Sequence, residues 1–136
     1  MTLGRADPVV VRRHLAALRE ALANLQRHTG RNAQEFRANA DLRWVVERGL
    51  QLCVQNALDV ATHITAASGL DSPDYTSAIE RIAELGAIPA EFATRLRPIA
   101  GFRNVLVHGY LQVDLAVVEQ VLKEKLDDLE VFAGHI

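Results

Sequence analysis

The sequence contains few cysteine, lysine and aromatic residues and no long apolar run, and these shortages exclude several classes of protein. The single Cys53 among 136 residues allows no internal disulfide and no cysteine-rich metal site. No uninterrupted apolar stretch is long enough to span a bilayer, and arginines occupy the N-terminal region where a secretory signal needs an apolar core. A net charge of −2 argues against strong non-specific DNA binding. We therefore expect a cytoplasmic protein that needs no membrane and no DNA.

The residues that are abundant favour helices. Apolar residues make up 49% of the chain, and alanine and leucine are the most frequent of them. Only 4 prolines and 8 glycines are present, and they are sparse inside the long segments. A chain of this length is expected to form one domain over residues 1–136.

Apolar spacing and capping residues predict two helices in the first half of the chain. Asp7 and Pro8 begin the first, which continues with leucines three and four residues apart. Asn32, followed by Glu35, begins a long second helix that ends before Gly69. At about 54 Å this helix would be unusually long, so a bend or break is expected at Gly49 or before Leu42.

Three shorter helices are predicted in the second half. Pro73 begins the third at its first position, and Gly86 ends it. Pro89 begins the fourth, Pro98 should kink or split it, and Asp114 caps the fifth. No segment alternates apolar and polar residues as a strand would. The predicted fold is an all-α, up-and-down bundle of four to five helices with a long second helix.

Charge is distributed unevenly along the chain. Residues 1–48 contain nine arginines and five acids, a balance of +4, whereas residues 111–136 contain two lysines and six acids, a balance of −4. Two helices of opposite charge that attract each other would explain this pattern. A groove that binds phosphate would also explain it, because arginine is suited to bidentate phosphate contact.

Residues 103–110 contain the densest group of chemically capable side chains. Arg103 is a permanent cation, and His108 can exchange a proton near neutral pH. Asn104 lies one helical turn before His108 on the same face, and Tyr110 follows Gly109, which is expected to end the helix. The group is suited to chemistry on a phosphodiester or a nucleotide.

Purely structural roles remain open for the same residues. Arg103 would then pair with an acid of a neighbouring helix, Asn104 and His108 would be capping groups, and Tyr110 a half-buried anchor.

Gln51, Gln55, Asp59 and His63 form a polar stripe on the second helix. It is either a solvated face or a source of supporting residues near the Arg103 motif or at a subunit contact. The supporting candidates are Arg48, Asp59 and His63. Asp59 and His63 are one turn apart, but no third ligand accompanies them, so no metal site is expected.

The segment Gly101-Phe102-Arg103-Asn104-Val105-Leu106-Val107-His108-Gly109-Tyr110 resembles the signature of HEPN-domain proteins, specifically HepT-like toxins of toxin–antitoxin pairs. In that signature arginine is followed by four residues, histidine, one residue and tyrosine. Shorter similarities occur at Val46–Arg48, Leu85–Pro89, Val113–Leu115 and Asp128–Phe132. The similarity extends from about Arg5 to Phe132.

The resemblance implies a metal-independent ribonuclease that needs no cofactor and acts as a homodimer on RNA. Arg103 and His108 would be the catalytic pair, with Asn104 in support. A small nucleotidyltransferase antitoxin of the MntA type would transfer AMP onto Tyr110 and silence the toxin. We expect the first and second helices to form the subunit contact, with Trp44 in the core or the interface. The alternative is a non-catalytic helical partner of a nucleotidyltransferase that binds nucleotide through the same motif.

Overall fold

The computed structural model describes residues 5–108 and 113–136. Within those ranges the chain forms eight α-helices and no strand, which confirms the all-α prediction. The helices are α1 Pro8–Gln26, α2 Ala33–Ala38, α3 Ala40–Ala67, α4 Tyr75–Glu84, α5 Ala90–Leu96, α6 Pro98–His108, α7 Leu115–Glu124 and α8 Leu126–His135. No helix in the described ranges combines the length and apolarity needed to cross a membrane.

Eight helices arise because three of the five predicted segments divide. The long second helix breaks at Asn39, which has an extended backbone (φ −133°, ψ 101°) and accepts a hydrogen bond from the Leu42 N–H at 3.1 Å. The break is thus before Leu42, and α3 passes Gly49 without interruption. The fourth segment splits before Pro98, which has no N–H to continue the helical ladder. The fifth divides at Lys125, where no proline or glycine signals a break.

Side-chain caps define most of the helix starts. An aspartate or asparagine before α1, α2, α3, α4 and α7 accepts a hydrogen bond from a backbone N–H two or three residues later. The cap of α4 is Asp74, so Pro73 precedes the cap and is not the first helical residue as predicted. Gly69 and Gly86, with φ of 76° and 80°, end α3 and α4 in the left-handed conformation that glycine tolerates.

Helix α3 is the centre of the bundle and packs against α1, α2, α4, α6 and α8. Leu50, Leu58 and other side chains along it are fully buried. Gly49 allows α1 to approach closely, because a Cβ added there would lie 2.6 Å from Cδ2 of Leu25. Trp44 is 67% exposed in the single chain, so of its two predicted positions the core is wrong and the subunit interface stays a prediction.

Candidate functional site

The site begins with the way in which helix α6 is anchored. Ile99 and Phe102 are buried and Leu106 packs against the core, so these positions fix the inward face of α6 against α3 and α4. Arg103 follows Phe102 and is rotated from it by about 100° around the helix. It is therefore half-buried at the edge of that contact, while the next residue, Asn104, is exposed.

Among the residues that the structure describes, three neighbours hold the Arg103 guanidinium. Its Nε donates a hydrogen bond to Oε1 of Gln55 at 2.9 Å, and its Nη1 donates to Oδ1 of Asn104 at 3.3 Å. The guanidinium carbon lies 5.0 Å from the centre of the Tyr75 ring, within the range of a cation–π contact. These contacts use two of the five N–H donors of the arginine.

No carboxylate in the described ranges forms an ion pair with Arg103. One part of the purely structural interpretation, the pairing of Arg103 with an acid of a neighbouring helix, is therefore wrong. Six other ion pairs are formed in the described residues, including Arg97 with Glu80 at 3.1 Å. The positive charge of Arg103 is held by neutral groups and stays available to an anion.

Gln55 connects Arg103 to Asp59, one of the predicted supporting residues. The Gln55 side-chain nitrogen donates to Oδ1 of Asp59 at 2.8 Å and to the Tyr75 hydroxyl oxygen at 3.3 Å. The sequence did not indicate a site role for Gln55 or for Tyr75. The spacing of Gln55 and Asp59, four residues apart on one helix face, was the only available signal for this connection.

The other two predicted supporting residues make different contacts. Arg48 is exposed, and its Nη1 donates to Oε1 of Gln51 at 3.1 Å. It precedes Gln55 by two helical turns, about 10 Å along α3. His63 Nε2 accepts the backbone N–H of Asp7 at 3.0 Å and so fixes the start of α1. Neither side chain contacts Arg103 in the part of the chain that the structure describes.

Two predicted site residues fall partly or wholly outside the described residues. The backbone of α6 reaches His108, so Asn104 and His108 lie one turn apart on a continuous helix. Outside the described residues lie the His108 side chain and all of Gly109 and Tyr110.

A groove of about 550 Å³ lies beside Asn104 and Tyr75. Its wall consists mostly of small and uncharged side chains with one carboxylate, and the lining residues are Thr62, Ser72, Pro73, Asp74, Tyr75, Thr76, Ala100, Gly101 and Asn104. Hydrogen bonds from Ser77 lower the pKa of the Asp74 carboxyl, so it is ionised at neutral pH. The groove offers hydroxyl and amide groups as hydrogen-bond partners, and two of its lining residues, Tyr75 and Asn104, also contact Arg103.

Cys53 is excluded as a nucleophile by its surroundings. The side chain is fully buried on α3, and burial raises the pKa of its thiol to about 12. A thiol in that state carries almost no thiolate at neutral pH. Cys53 is a small residue of the core.

Comparison with known proteins places this geometry in a family. The sequence model of the family described as "Ribonuclease HepT-like" matches residues 18–136. A tRNA nuclease HepT from Aphanizomenon flos-aquae is 30% identical over 133 residues, which cover 96% of this chain and 89% of that protein. An mRNA nuclease HepT from Shewanella oneidensis is 27% identical over 123 residues, which cover 90% of this chain and 92% of that protein.

Solved structures support the same fold. The tri-AMPylated Shewanella oneidensis HEPN toxin in complex with an MNT antitoxin superimposes with a TM-score of 0.78 at 23% identity, covering 93% of this chain and 95% of that one. A toxin–antitoxin complex with AMP-PNP gives a TM-score of 0.79 at 24% identity, covering 93% and 96%. The family match confirms the resemblance read from residues 101–110 and the ribonuclease class of activity. The chain belongs to the family of HepT-like ribonucleases.

Proposed function

We propose that this chain is the toxin of a toxin–antitoxin pair and cleaves RNA as a metal-independent endoribonuclease. Arg103 and His108 are its catalytic residues in this proposal, and Asn104 supports Arg103. The observation that carries the proposal is the Arg103 guanidinium, which is fixed by neutral partners and unpaired with any described carboxylate. Membership of the ribonuclease family supplies the reaction class.

The proposed chemistry needs three contributions. The 2′-hydroxyl loses a proton as it attacks the adjacent phosphorus, the 5′ oxygen gains a proton as the P–O bond breaks, and the phosphorane carries extra negative charge. Arg103 stabilises that charge by its remaining N–H donors. His108 transfers a proton, and its place in the last turn of α6 favours the protonated ring, since the helix dipole is negative there.

The need for both an acid and a base supports a homodimer. Each chain contributes one motif histidine, so two copies supply the pair. The exposed Trp44 and Val45, 67% and 52% accessible, lie together near the start of α3 and support a subunit contact on that helix. Size-exclusion chromatography with light scattering tests this assembly, and a monomer after Trp44→Ala is the expected result.

Cleavage assays in EDTA test the activity itself. Because the two HepT relatives are named as an mRNA and a tRNA nuclease, both RNA classes should be supplied. Cleavage by the wild-type chain that disappears in His108→Ala supports the proposal. Binding of RNA or nucleotide without cleavage would instead support the non-catalytic partner of a nucleotidyltransferase.

Mixed dimers test whether the two copies share a site. Arg103→Ala and His108→Ala chains, each inactive alone, are mixed and allowed to exchange subunits. Restored cleavage means that Arg103 of one chain acts with His108 of the other. No restoration means that each site uses its own pair or needs all four groups.

We further propose that a nucleotidyltransferase antitoxin silences the chain by placing AMP on Tyr110. The tri-AMPylated toxin among the structural neighbours supports this, as does the position of Tyr110 two residues after His108. AMP there would add a negative charge to the motif, and this charge would repel RNA. In cells that express both partners, Tyr110→Phe should stay toxic, and full suppression of this variant would show another route of control.

A further inference from the structure

We infer that Gln55 is a positioning residue, which fixes the Arg103 guanidinium for phosphate without neutralising it. This inference rests on the proposed function, because positioning has meaning only if Arg103 meets RNA. Gln55 touches Arg103, Asp59 and Tyr75 at once. These partners come from three helices, so the contacts join α3, α4 and α6 at one point.

The orientation of the Gln55 amide follows from its partners. Arginine offers only donors and an ionised aspartate only acceptors, so the amide oxygen must face Arg103 and the amide nitrogen must face Asp59. The Tyr75 hydroxyl oxygen accepts a second hydrogen bond from the same nitrogen at 3.3 Å. Two contacts on the nitrogen therefore hold the oxygen in place for Arg103 Nε at 2.9 Å.

The neutral amide explains how Arg103 is held and yet remains a cation for the substrate. A carboxylate at position 55 would form an ion pair with the guanidinium and would repel an approaching phosphate. Gln55 instead supplies an uncharged acceptor, and the Asp59 charge is bound on the far side of its amide. The Tyr75 ring, 5.0 Å from the guanidinium carbon, restricts the remaining rotation of the arginine.

A solvated polar face does not account for these contacts. Gln55 is half-buried, and two of its three partners lie 48 and 20 residues away in sequence. The side chain of the exposed Gln26 on α1 also makes a long-range hydrogen bond, but it bonds Glu130 alone among the described residues and is not part of the Arg103 contacts. Gln26 is thus a matched control for replacing a helical glutamine outside the network.

The test compares Gln55→Met, Gln55→Glu and Gln26→Met in RNA cleavage. Methionine keeps the length but removes the acceptor, so kcat should fall about 10- to 100-fold, the effect expected for one charge-assisted hydrogen bond. Gln55→Glu restores an acceptor and adds charge, so it should raise KM as well as lower kcat. Gln26→Met should match the wild type, and thermal unfolding checks that all three variants fold.

A second measurement follows Arg103 without RNA. In the wild type the Arg103 Nε–H signal in a ¹⁵N NMR spectrum should exchange slowly with solvent, and Gln55→Met should make exchange fast. Fast exchange together with wild-type kcat would overturn the positioning role and leave the ribonuclease standing. A wild-type chain that cleaves no RNA would overturn the proposed function and this role with it, whereas the NMR signal would still report the contact.

Discussion

Replacing Arg103 by lysine separates the charge of this residue from its geometry. Lysine keeps the positive charge, but it has neither the planar guanidinium nor an Nε–H group. The contacts at risk are the 2.9 Å hydrogen bond to Gln55 and the 3.3 Å hydrogen bond to Asn104. The contact with the Tyr75 ring can be kept in part, because an ammonium group also interacts with an aromatic face.

The size of the effect follows from those two hydrogen bonds. A hydrogen bond to a charged group contributes about 1.5–3 kcal/mol, and the lower end applies because Arg103 is only half-buried. Two such bonds give about 3 kcal/mol. Since about 1.4 kcal/mol is a factor of ten in rate, Arg103→Lys should cleave RNA about 100-fold more slowly than the wild type.

Single-turnover cleavage of one RNA substrate in EDTA measures this difference, with Arg103→Ala as the reference for complete loss. Arg103→Lys should lie between the wild type and Arg103→Ala, and all three proteins should unfold at similar temperatures. A rate within about threefold of the wild type would refute the reasoning, because charge alone would then be sufficient. A rate equal to that of Arg103→Ala would show that a positive charge without the planar guanidinium contributes nothing to cleavage.

Three further predictions concern the fold. Gly49→Ala should lower the free energy of unfolding by about 1 kcal/mol, because the clash of the new Cβ with buried Leu25 outweighs the gain in helix propensity. In a Leu25→Ala background, which removes the clash, the same substitution should be stabilising. Chemical denaturation measures both effects. Burial and the nearby arginines lower the pKa of His28, so the folded chain binds a proton at this site less readily than the unfolded chain does. Stability should therefore fall as the pH drops below about 6.5. His28→Gln should reduce that loss, and the urea midpoint as a function of pH measures it. The Cys53 thiol, with its pKa raised to about 12, should react with a thiol reagent only when the chain unfolds; fast labelling of the native protein would contradict its burial.

The sequence allowed the helical segments to be located but not all of their breaks. Leucine spacing and caps such as Asp7 and Asn32 are local signals, and the structure shows them acting locally. An asparagine caps a helix only where the preceding helical turn ends, and the sequence does not show where that is. The break at Asn39 could therefore be placed only within a region, the residues before Leu42. No local signal marks the break at Lys125, where the ammonium group donates to the Arg95 carbonyl at 3.3 Å, 30 positions away in sequence, and lies 3.7 Å from Asp128, three residues later.

The candidate site, too, could be predicted from the sequence only in part. Arg103 and Asn104 could be selected from residue type and spacing within one helix. The part played by Gln55 and Tyr75 could not, because contacts across 48 and 28 positions exist only once α3, α4 and α6 are packed. Periodicity predicts which face of each helix is buried, but it does not predict which polar side chains meet at the edges of those faces.

The net charge of −2 is a weak guide to whether this chain binds RNA. At physiological ionic strength charges act over about 8 Å, so distant acids contribute little at Arg103. Several acids are already paired, as Glu80 is with Arg97, Glu84 with Arg81 and Asp128 with Lys125. What matters at the phosphate is the local balance. There a neutral amide contacts Arg103 directly, and the Asp59 carboxylate is held on the far side of that amide. An acidic protein can present a usable positive charge to RNA in this way.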